Sequence, residues 1–247
     1  MSGHSKWSTI KRKKGVLDAK RSKMFSKIVK ELMIAAREGG PDPDMNPKLR
    51  MAVSNAKGVN MPKDNISRAI IKASSDGASL DEVTFEGYGP GGVAIFVECL
   101  SDNNKRTVGN VRAIFNKRGG SMGTNGSLSF LFDRKGVFEV LRGELDPDEF
   151  ELEVIDAGVE EIEVEDDRFI LTCQLEDFGN VQKKLEEMSL EPEKADLQRI
   201  PTITKDVGVD TAKSVLVMVE TFEDDDDVQA VYHNLELTDE IAAALDE

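Results

Sequence analysis

The spacing of apolar residues changes near residue 80, and this change limits the folds that the chain can adopt. Before it, apolar residues recur at intervals of three and four, as Phe25, Ile28 and Leu32 do, which is typical of helices that bury one side. After it, short apolar runs such as Val93–Val97 alternate with helical patterns, which predicts strands packed against helices. The sequence therefore predicts an α+β protein whose first part is entirely helical.

The order of the predicted elements divides the chain into three domains. The first is a basic helical domain, a bundle of short helices, at residues 1–78. From about Gly136 the order β-α-β-β-α-β predicts a ferredoxin-like domain over residues 135–204. We expect this third domain to be inserted in a discontinuous α/β middle domain, made of residues 79–134 plus 205–240.

The middle domain is predicted from segments on both sides of the insertion. A helix at Asn104–Lys117 is expected between strands at Val93–Leu100 and Ser127–Phe132. After the insertion, Thr211–Phe222 and Val228–Leu235 both have helical spacing, and we expect both helices to complete this domain.

Charge is distributed very unevenly along the chain, whose net charge is −15. Residues 1–72 carry 17 Lys+Arg against 6 Asp+Glu, a net charge of +11. The remaining 175 residues carry 15 against 41, a net charge of −26. Binding to a polyanion depends on the local field and not on the total charge. The basic beginning therefore predicts a nucleic-acid contact in a protein that is acidic overall.

Two groups of basic residues are candidates for this contact. The first lies in the N-terminal tail and continues along the first predicted helix, opposite its apolar side. The second lies on the helix predicted at Asn104–Lys117. Lysine and arginine neutralise phosphates and release condensed counterions, which gives affinity without sequence preference. We therefore predict that nucleic acid contacts Lys6, Trp7, Lys11, Arg12, Lys13, Lys14, Lys20, Arg21, Lys23, Lys27, Lys30, Lys105, Arg106, Arg112 and Lys117.

Each group also has a structural interpretation. Trp7, the single tryptophan, either stacks on a base of a single-stranded or distorted nucleic acid or packs inside the helical bundle. The basic beginning of the chain either meets a polyanion or docks on the acidic remainder of the same chain. The basic residues of Asn104–Lys117 form either a second contact surface or a solvated helix face.

Two glycine-rich segments and one acidic run match known ligand sites only in part. Glu86–Gly92 lacks the Lys-Ser/Thr of a phosphate-binding P-loop. Gly119–Gly126 follows a helix and enters a strand, the reverse of a dinucleotide-binding turn, although its backbone N–H groups are candidates for phosphate contact. Glu223–Asp227 lacks the glycine and glutamate of a calcium loop, and we expect it to cap a helix that starts at Val228.

No catalytic group is predicted. The two histidines are His4 in the tail and His233 on a predicted late helix, and neither belongs to a recognisable motif. Cys99 and Cys173 lie in apolar runs, which predicts buried thiols in a reducing compartment. No apolar run approaches the roughly 20 residues of a membrane helix. We therefore predict a cytoplasmic, non-enzymatic protein with no metal, cofactor, membrane or small-molecule substrate.

Several motifs, in the same order along the chain, resemble those of one protein family. The residues that carry the resemblance are Gly3-His4-Ser5-Lys6-Trp7, Asp18-Ala19-Lys20-Arg21, Asn60–Ile66, Glu86–Val93, and Asp102 through Arg106-Thr107 to Gly119-Gly120, Gly126-Ser127 and Lys135-Gly136. In this order they are similar to the YebC/PmpR family. The chain departs from the common pattern in its dense Lys11–Lys14 run and in the order of Asn103-Asn104-Lys105, and both departures keep or add positive charge.

The resemblance implies three domains, the third inserted in the second, and a role in gene expression. Bacterial relatives are described as transcriptional regulators that bind DNA. Others act in translation, among them a mitochondrial activator and bacterial factors that help ribosomes through proline-rich stretches. The resemblance thus implies a DNA-binding transcriptional regulator, with a ribosome-associated translation factor as the alternative. The abundance of lysine suits phosphate contact more than the reading of base edges.

Overall fold

The structure of the protein, a computed structural model, describes residues 21–75, 80–165 and 167–246. Helices and strands over these residues are α1 (Arg21–Gly39), α2 (Pro47–Gly58), α3 (Lys63–Ser75), β1 (Asp81–Tyr88), β2 (Ala94–Ser101), α4 (Asn104–Lys117), β3 (Ser121–Met122), β4 (Phe132–Leu141), α5 (Pro147–Ile155), β5 (Val159–Val164), β6 (Arg168–Gln174), α6 (Phe178–Glu187), β7 (Lys194–Pro201), α7 (Val209–Glu223), β8 (Val228–His233) and α8 (Asp239–Asp246). They confirm the predicted mixture of helix and sheet, with helices first and α/β structure after them.

The described residues group into two compact units. The first contains residues 21–27, 80–133 and 200–246, and the second contains residues 28–75, 134–165 and 167–199. The boundaries of the three domains expected from the sequence stay a prediction.

The first unit contains a four-stranded sheet in the order β3-β1-β2-β8, and its paired strands are antiparallel. One face carries the main core of this unit, where Val111 and Phe115 of α4 pack with side chains of α7. Phe115 and Phe222 meet edge to face, with ring centroids 4.9 Å apart. A smaller apolar cluster includes Phe96 and Tyr232. This sheet fixes the position of α4, which carries one of the two predicted basic groups.

The second unit contains a ferredoxin-like sheet in the order β5-β6-β4-β7. The β-α-β-β-α-β order predicted for this part of the chain is confirmed. Its core contains two stacked phenylalanine pairs, Phe138 with Phe178 and Phe150 with Phe169.

Within the second unit, α2 bonds to β7 through the side chain of Asn55. The amide Nδ2 of Asn55 donates to the backbone oxygen of Ala195 at 3.0 Å, and its Oδ1 accepts from the Ala195 N–H at 2.8 Å. The side chain thus pairs with β7 as a neighbouring strand would, while its Nδ2 also donates to Asp196. At the end of α2, a Cβ on Gly58 would lie 1.9 Å from the backbone oxygen of Glu193, so only glycine allows this approach.

Two of the predicted elements differ in the structure. Val228–Leu235 was predicted as a helix, but Val228–His233 is strand β8. The register of β8 against β2 shifts between Glu98 and Cys99, so one extra residue separates Val228 from Val231. Both valines therefore reach the same core although they are three positions apart, and this spacing imitates a helix. His233 accordingly lies on a strand, where it is fully buried.

The predicted strand at Ser127–Phe132 is also wrong in its first part. Ser129–Leu131 forms a 3-10 turn, and the strand begins at Phe132. The carboxylate of Glu86 binds the backbone N–H of Leu128, which removes that donor from strand pairing.

Candidate nucleic-acid interface

Many of the contact residues predicted from the sequence belong to the N-terminal tail. Lys6, Trp7, Lys11, Arg12, Lys13, Lys14 and Lys20 lie outside the described residues. Arg21 begins α1, and its side chain is outside the described part as well. Contact of nucleic acid with these residues stays a prediction.

The lysines of α1 that the structure describes contact the end of α7. Lys23 is exposed, and its Nζ donates to the backbone oxygen of Asp224 at 3.0 Å and lies 3.5 Å from the Asp224 carboxylate. The Nζ of Lys27 donates to the backbone oxygen of Glu223 at 2.9 Å. The last carbonyls of a helix lack partners within it and carry partial negative charge. Lys23 and Lys27 therefore stabilise the C-terminal end of α7. Lys30, which follows them on α1, is half-buried.

These contacts bear on the two interpretations of the basic beginning of the chain. Two lysines of α1 do meet the acidic part of the same chain, as the docking interpretation requires. Both meet backbone carbonyls, and Lys23 remains exposed to solvent. These contacts fix where α1 begins relative to α7 and leave the charge of Lys23 accessible.

Helix α4 has one basic residue that is engaged by carboxylates. The guanidinium of Arg106 donates to Asp227 at 2.7 Å and to Asp102 at 2.8 Å. The hydrogen bonds that Arg106 donates, to Asp227 first and then to Asp102, raise the pKa of Arg106 above its ordinary value. Asp227 is buried, with a side chain 4% exposed, so its charge depends on these donors. Arg106 thus holds α4 against the segment before β8.

The acidic run Glu223–Asp227 forms the turn between α7 and β8, and we call it the acidic turn. The expectation that it caps a following helix is wrong, because a strand follows. Asp227 also accepts from the hydroxyl of Thr107 at 2.8 Å, and Asp225 accepts from the Asn110 amide at 3.0 Å. The acidic turn therefore contacts Lys23 of α1 on one side and Asn110 of α4 on the other.

Three other cations of α4 face solvent. Lys105, Arg112 and Lys117 are exposed, and within the described part of the chain they have no ion pair or side-chain hydrogen bond. Lys105 and Arg112 are seven positions apart and so lie on the same side of the helix. Gly109 lies between them, and a Cβ added there would meet nothing within 4 Å. The result is a low strip between two cations, open to the close approach of a phosphate backbone.

Glu86 accepts hydrogen bonds from several backbone N–H groups in and just after the glycine-rich loop Gly119–Gly126. Glu86 is buried, and its carboxylate accepts from the N–H of Gly126 at 2.7 Å and from the N–H of Leu128. The backbone oxygen of Glu86 accepts from the N–H of Gly123 at 2.8 Å. A phosphate that used the N–H groups of Gly123, Gly126 or Leu128 would have to displace Glu86, so these three donors are already satisfied.

The other groups considered from the sequence lie in the core. Cys99 and Cys173 are free thiols, and both are buried. Burial, and after it the charge of Asp177, raises the pKa of Cys173 to about 11. Among the described residues, no three His, Cys, Asp or Glu side chains are placed to hold a metal ion. No described helix is long and apolar enough to cross a membrane.

The sequence placed Lys105, Arg106, Arg112 and Lys117 on one helix, and the structure separates Arg106 from the other three. The sequence missed the role of Gly109, whose only signal is a glycine inside a helical pattern. It also missed Asp225 and Asp227 as partners of α4. Nothing local identifies them, since Asn110 and Asp225 are 115 positions apart.

Comparison with known proteins gives a consistent result over almost the whole chain. The family model for the TACO1/YebC protein N-terminal domain matches residues 5–76, and the one for the TACO1/YebC second and third domain matches residues 80–235. A protein of Amoebophilus asiaticus is 49% identical over 95% of this chain and 98% of its own length. One from Chlorobium phaeobacteroides is 46% identical over 100% of both chains. Each is named a probable transcriptional regulatory protein.

A solved structure is also similar. The crystal structure of a conserved hypothetical protein from Aquifex aeolicus has a TM-score of 0.84 and 39% sequence identity, and the match covers 91% of this chain and 94% of that one. That description assigns the Aquifex protein no function.

Proposed function

The chain belongs to the TACO1/YebC family, and from this premise we propose that it is a non-enzymatic, nucleic-acid-binding regulator of gene expression that binds DNA to control transcription. The names of its relatives support a role in the regulation of transcription. The observation that carries the proposal is the set of exposed cations on α4, Lys105, Arg112 and Lys117, which have no carboxylate partner in the described part of the chain.

The acidic turn supports a contact in two parts. It binds Lys23 at the start of α1 through Asp224, and it binds Asn110 of α4 through Asp225. The basic tail precedes Arg21 in the chain, and the acidic turn contacts both α4 and Lys23, two positions after Arg21. We infer that the tail and the solvent side of α4 contact neighbouring phosphates of one nucleic acid. Lysine and arginine at both places would supply the counterion release on which such affinity depends.

The protein acts, in this proposal, by binding alone. It uses no cofactor, metal ion or small-molecule substrate, and it makes no membrane contact. Its place of action is the cytoplasm, since two buried free thiols are typical of a reducing compartment.

A second candidate is a ribosome-associated translation factor, and one observation favours it. Arginine and asparagine are the usual readers of base edges, but Arg106 and Asn110 of α4 are engaged by Asp227 and Asp225. Two of the three cations of α4 that remain exposed without a partner in the described part of the chain are lysines. Such a surface suits phosphates more than a specific duplex sequence, and ribosomal RNA offers these phosphates densely.

The test replaces Lys105, Arg112 and Lys117 together by glutamine. Binding to promoter duplex DNA and sedimentation with ribosomes are measured at several salt concentrations. We expect weaker binding to the physiological partner. The slope of log affinity against log salt should fall by about 0.9 for each phosphate that the variant no longer neutralises on duplex DNA, or by about 0.7 on a single strand. These helix-compatible changes remove three exposed cations and leave the core of α4 intact.

A matched control removes three cations elsewhere, with Lys183, Lys205 and Lys213 replaced by glutamine; all are exposed. The control should keep its affinity and its slope. Loss of DNA binding with the α4 variant supports the transcriptional role, and loss of ribosome sedimentation alone supports the translational one. Equal losses in the control would contradict a specific contact through α4.

A further inference from the structure

The second unit has an acidic surface that the proposed function does not use. Residues 134–199 carry 8 Lys+Arg against 21 Asp+Glu, a net charge of −13. Within them, residues 144–156 hold 7 carboxylates and no Lys or Arg. This segment includes α5. Such a surface repels phosphate, so it is unsuited to the nucleic acid that the α4 surface attracts.

Helix α5 exposes apolar side chains within this acidic surface. It buries Phe150 and Val154 in the core, as an amphipathic helix does. On its outer side, however, Leu152 is 71% exposed and Ile155 is 48% exposed. These two positions are three apart and therefore adjacent on the helix. Carboxylates at neighbouring positions, such as Asp148, flank this apolar pair.

A groove of about 310 Å³ lies beside Leu152. Its lining combines apolar and acidic side chains, which are Leu145, Phe150, Leu152 and Met188 with Asp146, Glu149 and Glu153. Two of the carboxylates are fixed in place. Asp146 accepts the N–H groups of Asp148 and Glu149 at the start of α5, and Glu153 pairs with Lys184 of α6. Glu149 is exposed and has no ion pair in the described part of the chain.

We propose that this groove binds a cationic, amphipathic segment of a protein partner. Its apolar side chains would cover Leu152 and enter the groove, and its lysines or arginines would meet Glu149 and the other carboxylates of the rim. Charge complementarity selects this occupant. A second copy docking through the same surface would place like charges against each other. A nucleic acid would be repelled.

The experiment measures binding of the full-length protein to a fluorescent peptide by anisotropy. The peptide has about 18 residues, five helical turns, with leucine on one side and lysine on the other. A second peptide carries glutamate in place of lysine. Leu152→Ser and Glu149→Lys are the test variants, because both side chains are exposed and neither change disturbs the core. Leu175→Ser and Glu176→Lys, also exposed in the second unit but outside the groove, are the matched controls.

We expect Leu152→Ser and Glu149→Lys each to raise the Kd for the lysine peptide roughly fivefold or more, and the controls to change it less than about twofold. The glutamate peptide should not bind. Equal weakening in the controls would reduce the effect to general charge attraction and overturn the proposal.

One further variant shows whether the groove binds a partner protein or the basic tail of the same chain. If Lys11–Lys14→Ala tightens peptide binding to the otherwise unchanged protein, the tail itself occupies the groove, and the assignment to a partner is wrong. An unchanged Kd supports the partner. Nucleic-acid binding by Leu152→Ser should stay intact, so this proposal and the proposed function fail independently.

Discussion

Neighbouring cations of α4 have different surroundings, and these determine what each one does. Arg106 bonds to the buried Asp227, whereas Lys105 beside it faces solvent. A substitution at Arg106 therefore acts on folding, because it leaves a buried carboxylate with fewer donors. A substitution at Lys105 leaves these contacts in place, and under the proposed function we expect it to act on binding. For any substitution on α4, the effect on stability therefore has to be measured before a loss of binding is assigned to a lost contact with nucleic acid.

The first prediction concerns Asp227. Asp227→Ala removes the acceptor of both Arg106 and Thr107, and Thr107 is itself buried. We expect the free energy of unfolding to fall by about 2–4 kcal/mol, the usual effect of breaking a buried charged network. Urea unfolding measures it. Asp206→Ala, at an exposed position, should stay within about 0.5 kcal/mol of the parent, and an equally small effect at Asp227 would contradict the network.

The second prediction concerns the buried thiol of Cys173. Its pKa is raised to about 11, chiefly by burial, whereas the pKa of an unfolded cysteine is about 8.5. Between these values the folded state binds the proton and the unfolded state has released it, so stability falls as pH rises. Below about pH 8.5 both states are protonated and the effect vanishes. The thiol therefore lowers the stability of the folded protein only in alkaline solution.

Cys173→Ala removes this effect. We expect the free energy of unfolding of the parent to decrease more steeply than that of the variant between about pH 9 and 10.5, by about 1 kcal/mol per pH unit. Chemical denaturation across this range measures both slopes. Because the comparison is of slopes, the small cavity left by alanine does not affect it. Parallel slopes would mean that the thiol titrates normally in the folded protein.

At the scale of elements, one side chain of α2 bonds to β7 as a neighbouring strand would. Asn55 bonds to both the N–H and the oxygen of Ala195, and Gly58 lets the end of α2 approach the backbone of Glu193. The helix thus attaches to β7 through polar contacts of defined geometry. Apolar burial alone would allow α2 to slide along the surface, whereas paired hydrogen bonds fix its register.

The third prediction tests this attachment. Asn55→Ala leaves the N–H and the carbonyl of Ala195 without partners in a buried place, and we expect a loss of about 2–3 kcal/mol in the free energy of unfolding. Hydrogen exchange of the Ala195 amide should become faster. Asn116→Ala, on the exposed side of α4, is the matched control and should change neither quantity. Unchanged exchange at Ala195 in the Asn55 variant would show that another group holds β7.

Most elements were predictable because their apolar spacing reflects a single buried side. The ferredoxin-like order followed from such patterns, as did α4, with Val111 and Phe115 inward. Strand β8 was not predictable, because a bulge opposite Cys99 places Val228 and Val231 on one side at helical spacing. A bulge arises from the pairing of two strands, so it cannot be predicted from the sequence of one strand.

The candidate interface was predictable in composition and not in geometry. Clustering of lysine and arginine identified both basic groups, since charge is a property of each residue. Which cations remain exposed depends on carboxylates far along the chain, as the pairing of Arg106 with Asp227 shows over 121 positions. Glu86, 40 residues before Gly126, likewise occupies the N–H of Gly126, a donor that the sequence offered for phosphate contact.

At the scale of the molecule, the charge pattern separates two kinds of partner. The basic beginning, at +11 over residues 1–72, suits phosphates, while residues 134–199, at −13, suit the cationic protein segment that we propose. Both fields weaken with salt over about a Debye length, near 10 Å at 0.1 M. Binding to nucleic acid and binding to a protein partner should therefore both be salt-sensitive, but they respond to opposite charge changes.

The fourth prediction uses this difference to decide what the basic tail does. Lys11–Lys14→Ala should weaken binding to duplex DNA and reduce the slope of log affinity against log salt by about 0.9 for each phosphate that the tail no longer neutralises. If the four residues instead dock on carboxylates of their own chain, the slope stays as it was and the free energy of unfolding at low salt falls. Measuring both quantities on the same variant separates the outcomes, because a cation paired within the chain contributes to folding and one that meets a phosphate contributes to binding. Loss of stability with an unchanged slope would show that Lys11–Lys14 do not contact the nucleic acid. The proposed interface would then consist of α4 without these four residues.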